Sequence, residues 1–233
     1  MTNSLSNLAG VGAILVVFLL LSSVGSVITY IIIVVANRAD PDPTGKRPMA
    51  VYLFGGAFLT LWLAYVGGIA TATGLIGLIG RKFSSGSGIH PVGDAAVREI
   101  TLGLLLVLVA GGAHLLHRRR GFDLANSEQD PASPTKRVAR SYVAVVSFVT
   151  VIIAIFTLFA FLFTLLGIIA PGVYHAAGRM VQLRILLTET FILLLTAWIF
   201  RSHQAVAPRA LQLFGGSTGQ STFDVVEVVE IVE

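Results

Sequence analysis

Four ionisable side chains stand where an otherwise apolar chain has least reason to carry them: Glu99, Glu189, His114 and His203. Charge inside a lipid-crossing segment is costly and often functional. Glu99 and Glu189 lie ninety positions apart; two such carboxylates on neighbouring helices can relay protons or bind a cation. Glu189 follows Ile185, Leu186 and Leu187 and precedes a long apolar run, whereas Glu99 stands beside Arg98 at a boundary. The plainer reading makes Glu99 interfacial and pairs Glu189 with Arg184 or Arg98, which would fix helix register. His114 and His203 fall near the ends of two short apolar runs. Two imidazoles from adjacent helices suit the axial positions of a haem b iron or the seat of a quinone head group. That chemistry needs matched depth, and His203 follows Arg201 outside the apolar run, which places it in the head-group layer. His117 with Arg118, Arg119 and Arg120 reads as a topology signal in contact with anionic lipid. His90 and His175 are loop residues, and two histidines alone make no metal site.

Other reactive constellations are missing. The chain has no Gly-x-Ser-x-Gly, no His-Glu-x-x-His, no phosphate-binding loop and no dinucleotide fingerprint after a strand. It has no cysteine, which excludes disulfides, thiolate catalysis and Cys-ligated zinc or iron–sulfur clusters. The sequence therefore predicts no catalytic residue and no resident metal, and the expectation is a protein that is not an enzyme.

These residues are set in an unusually apolar chain. Of 233 residues 55% are hydrophobic and 12% charged, about half the charge of a soluble domain. With apolar runs longer than 18 residues, that deficit predicts an all-α integral membrane protein. The net charge of +4 does not point to nucleic acid, because the basic residues flank the apolar runs and serve topology instead. Val11–Ala36 is long enough to span. It lacks the basic start and short core of a cleaved signal, so residues 1–37 are expected as a retained anchor. A connector with prolines at 41, 43 and 48 follows. From Pro48 to Gly80 no charge occurs, about 48 Å of helix against a hydrocarbon core of about 30 Å. Such a span must tilt, protrude or break, and Gly67-Gly68 is the expected break. Ala64, Gly68 and Ala72 make a small-residue stripe for close helix packing. A Gly/Ser-rich loop (81–97) leads to a short span, 100–116, and residues 119–139 are expected as a soluble linker. Further spans are predicted at 141–170 and 185–200, with Trp198 as an interfacial anchor. The tail 205–233 ends in acids spaced three apart among β-branched residues, which suits neither strand nor helix well.

The chain repeats itself at an offset of ninety: Tyr52 and Tyr142, Phe58 and Phe148, Thr60 and Thr150, Gly77 and Gly167, Glu99 and Glu189. The pattern predicts two parallel two-helix repeats, 48–118 and 140–204, behind the anchor, giving five transmembrane helices as 1 + 2 + 2. Orientation follows from the cations. Arg38, Lys46, Arg47, Arg118–Arg120, Lys136, Arg137, Arg140, Arg201 and Arg209, eleven in all, fall on one side. Arg81, Lys82, Arg98, Arg179 and Arg184, five in all, fall on the other. The positive-inside rule then sets the N-terminus outside and the C-terminus inside.

Each repeat opens a long span on a tyrosine (Val51-Tyr52-Leu53, Ser141-Tyr142-Val143). Each closes a short one on His or Trp plus Arg (His114-Leu115-Leu116-His117-Arg118; Trp198-Ile199-Phe200-Arg201-Ser202-His203). In this the chain resembles a tandem duplication of an uncharacterised bacterial multi-pass membrane domain, over 50–118 and 140–204. The second copy departs from the pattern, since Arg201 stretches its Trp-to-His spacing. The resemblance implies a bacterial inner-membrane protein and no established activity.

Three functions remain open on these residues. The first is a non-catalytic accessory or scaffold subunit of a larger membrane complex, of respiratory or photosynthetic type, with the lipid bilayer and other membrane subunits as partners. The second is a small proton- or ion-linked transporter built on Glu99 and Glu189. The third is an electron-transfer module holding haem b or quinone through His114 and His203. The first predicts no cofactor.

Overall fold

The computed structural model describes residues 42–79, 95–170 and 178–205, and what it describes is helical, with no strand among those residues. The expected anchor Val11–Ala36, the loop histidines His90 and His175, and the acidic tail lie outside the described residues. Four helices follow in order: α1 (Arg47–Leu78), α2 (Ala95–Asn126), α3 (Pro134–Ile169) and α4 (Arg179–Gln204). All four are long and apolar enough to cross a membrane.

α1 and α2 form a tight antiparallel hairpin. At Gly103 its two backbones come close. A Cβ on Gly103 would stand 2.6 Å from both the Gly67 carbonyl oxygen and the Thr71 nitrogen, so nothing larger than hydrogen fits there. Where apolar surface supplies no association force, such backbone proximity is what holds helices together. α3 and α4 form a second antiparallel pair, joined by Thr164 to Glu189 near one end and by Gln204 to Ser147 near the other. The pairs meet through α1, whose Phe54 packs on Tyr142 of α3 and whose Tyr65 bonds Thr196 of α4. Corresponding helices of the two pairs run the same way. Spans joined by short connections alternate in direction anyway, so this needs no duplication.

Positions matched by the ninety-residue offset do not share environments. Tyr52 is 62% exposed and Tyr142 1%, while Phe58 is 7% exposed and Phe148 66%. Thr60 and Thr150 do behave alike, each donating to the carbonyl four residues back.

Three sequence expectations need correction. α1 runs unbroken through Gly67-Gly68, because those glycines face neighbouring helices and do not open a kink. The supposed linker 119–139 is mostly helix, with only 127–133 between α2 and α3. α2 continues past its arginines because Gly121 and Ala125 are buried and the Phe122 ring packs edge-on against Phe54, centroids 5.2 Å apart. The loop 81–97 ends earlier than expected, since α2 begins at Ala95 and carries Arg98 and Glu99 in its first turns.

The most apolar stretch of α3 has only 6% of its residues buried, whereas the apolar stretch of α1, with its Trp, Tyr, Thr and Gly, has 56% buried. Lipid solvates leucine and phenylalanine well, so the interior goes to side chains that gain by packing closely or by hydrogen bonding.

Candidate functional site

The sequence-predicted polar residues fall into two groups, one toward each end of the bundle. The first lies where α1 and α3 begin and α2 and α4 end. α4 runs one turn beyond Phe200, so Thr196, Ile199 and His203 share a face and are all buried. His203 is therefore packed inside the bundle at 2% exposure, enclosed by its neighbouring helices. Its Nδ1 lies 2.9 Å from the Ile199 carbonyl, which can only accept, so the ring proton sits on Nδ1. Its Nε2 is then an acceptor, and the Tyr142 hydroxyl donates to it at 3.0 Å. His114 is fixed the same way, with Nδ1 donating to the Ala57 carbonyl at 2.9 Å. The two imidazole centroids are 6.1 Å apart. Arg118 reaches the Ser202 carbonyl from beside them.

This geometry answers one question of chemistry. A metal shared by two imidazoles needs a free nitrogen on each, and Tyr142 holds the one that His203 would offer. The pair as arranged does not fit a bis-histidine iron. His117 stands apart, its Nδ1 on the Ala113 carbonyl and its ring against Gly56 and the edge of Tyr52.

The second cluster lies at the opposite end. Glu189 does not pair with Arg184 or Arg98; Thr164 donates to its Oε1 at 3.1 Å. Oε2 is buried without a hydrogen-bond partner. Arg184 donates instead to the Ile79 carbonyl at the end of α1, and its Nε is likewise unpartnered. Glu99 sits in the first turns of α2. The small-residue stripe divides. Gly68 faces Leu195 of α4, and a Cβ on Gly111 of α2 would meet that of Ala64 at 4.0 Å. Gly68 and Ala72 also line an apolar cleft of about 360 Å³ with Leu104, Val107 and Phe191.

Sequence reasoning passed over two features. Tyr65 and Thr196 bridge α1 and α4 at 2.8 Å in mid-bundle. Thr196 already donates to Ile192 at 2.7 Å, so Tyr65 is the donor of that bridge. A hydroxyl inside an uncharged span was the signal available, since it needs a partner in lipid. The second is Glu128, in the segment expected as linker. It is 8% exposed and accepts from Thr44 at 2.9 Å and from Thr135 at 2.6 Å, tying the start of α1 to the first turn of α3. Burial pushes its carboxyl up. The hydroxyls of Thr135, Ser133 and Thr44 and the charge of Lys46 outweigh that and hold it below the usual glutamate range. Beside it a cavity of about 600 Å³ opens between Lys46, Asp130 and Arg137. The remaining arginines of the basic run, Arg119 and Arg120, are exposed on α2.

Compared with known families, residues 57–199 match the model of a domain of unknown function, DUF5671. The match spans both helix pairs as one unit. No curated protein and no solved structure matches the chain.

Proposed function

The chain belongs to the DUF5671 family of domains of unknown function, and from that premise we propose that it is a non-catalytic accessory or scaffold subunit of a larger membrane complex. The observation that supports this is how its intramembrane polar groups are used. Tyr142, His203, His114, Tyr65 and Thr196 bond to one another or to carbonyls of the bundle. Such groups lock helices together and are themselves occupied by one another. In the full proposal residues 11–36 add a fifth span, the protein sits in a bacterial inner membrane, and the N-terminus is outside. The partners are other membrane subunits, in a complex of respiratory or photosynthetic type. Native purification in mild detergent followed by mass analysis tests the role, with stoichiometric partner chains expected. A clean monomer with turnover of its own would end it.

One observation favours a second reading. The partnerless Oε2 of Glu189 is a carboxylate oxygen held away from solvent with room for a proton. An ion- or proton-linked carrier using Glu189 with Glu99 would lose flux in Glu189→Gln while folding normally. The redox reading through His114 and His203 requires Tyr142 to release the His203 Nε2, and an absorbance spectrum of the purified protein without a Soret band would remove its haem form.

A further inference from the structure

We propose that residues 11–36 dock as a helix into the apolar cleft between α1, α2 and α4, an inference that rests on the proposed fifth span. The floor of the cleft is one face of α1, Gly68, Thr71, Ala72, Leu75 and Ile76, and its walls are Leu104 and Val107 of α2 and Phe191 of α4. Small floor residues let another backbone come close. The one hydroxyl there is already committed, since Thr71 donates to the Gly67 carbonyl at 2.9 Å, so the cleft asks nothing polar of its occupant. α3 contributes nothing to its lining.

The segment before α1 fits this description. Residues 1–37 carry no charge, and residues 11–36 are long enough to cross the bilayer. Position follows from the chain. Residues 37–46 join Ala36 to the start of α1, and residues 42–45 of that connector are already folded back as a turn. A preceding span must therefore run antiparallel to α1, with Ala36 level with its first two turns. At 1.5 Å per residue in both helices, the level of Ala72 is reached about 20 to 25 residues before Ala36, near residues 11–16. That stretch opens Val11-Gly12-Ala13. Gly12 and Ala13 thus fall at the level of the small residues Gly68 and Ala72.

The absence of native cysteine makes the test direct. In membranes holding the full chain, cysteine is placed in turn at residues 11–16 and paired with Ala72→Cys under mild oxidation. The docked arrangement gives an intrachain disulfide at positions three or four apart. It gives none with Ala160→Cys, which stands at similar depth on α3, eighteen residues beyond Tyr142 as Ala72 is beyond Phe54. Disulfides that form between chains would assign the cleft to a second copy, and none at all would leave it to lipid; either result overturns the proposal. A separate variant, Val24→Cys, distinguishes this failure from failure of the fifth span. Labelling of Val24→Cys by a membrane-impermeant maleimide removes the span itself, whereas protection without the Ala72 cross-link removes only the docking.

Discussion

Tyr142 and Tyr65 each bring one hydroxyl into the bundle, yet their removal has unequal consequences. Tyr142→Phe strips the only donor from the buried Nε2 of His203, whose other nitrogen is fixed on Ile199. Tyr65→Phe takes away a donor from Thr196, which keeps its bond to Ile192. The first change should cost about 1 kcal/mol and the second a few tenths, roughly the span of interhelical hydrogen bonds in membranes. Thermal unfolding of both variants in one detergent checks this, and equal shifts would refute the assignment of donors. At this scale the sequence was half legible. The histidines stood out by type, but their depth did not. Arg201 ended the apolar run and hid the spacing of Thr196, Ile199 and His203, a helical face that continues past the charge because an arginine side chain can reach outward while its backbone stays helical.

The helices impose a sharper requirement, because two of them touch at backbone distance. Gly103→Ala would drive a methyl into the Gly67 carbonyl and the Thr71 nitrogen, both main-chain atoms that cannot swing aside. Overpacking of that kind costs about 1–3 kcal/mol. Gly112→Ala, also in α2, meets nothing within 4 Å and should be neutral or stabilising by about 0.5–1 kcal/mol through helix propensity. Comparing the two unfolding midpoints separates packing from any general effect of glycine in this helix. Glycine composition alone suggested a break at Gly67-Gly68, and it did not show that Gly67 faces α2 while Gly68 faces α4. The reason is physical: a uniformly apolar span has no wet and dry sides to read, so which small residue faces which neighbour is decided by helices far away in sequence. Helix number and order in the described region were legible from apolar runs. Helix ends were not, since Phe122 holds α2 in helix through Phe54 and Tyr142, a contact no local pattern announces.

For the molecule as a whole, Glu128 is the carboxylate that ties the polar end across the two hairpins. Glu128 joins Thr44, before α1, to Thr135, in the first turn of α3, so three separate parts of the chain depend on its being ionised. Its carboxyl is held below the usual glutamate range by those hydroxyls and by Lys46, despite burial. The folded protein thus binds this proton less readily than the unfolded chain. The resulting stability is fully present above the ordinary glutamate value and is lost as pH falls through the lowered folded value. Glu128→Gln keeps the shape but not the charge. It should lower the unfolding midpoint at neutral pH by about 2–4 °C, the effect of about 1 kcal/mol in a chain of this size. Acidification below about pH 4 should then narrow the gap between variant and parent, because the parent loses what the variant never had. Other carboxylates titrate in both proteins and cancel in the difference. A gap that stays constant from pH 7 to pH 3.5 would mean that Glu128 acts through shape alone and that the two hairpins are held together elsewhere, by the aromatic packing of Phe54 on Tyr142.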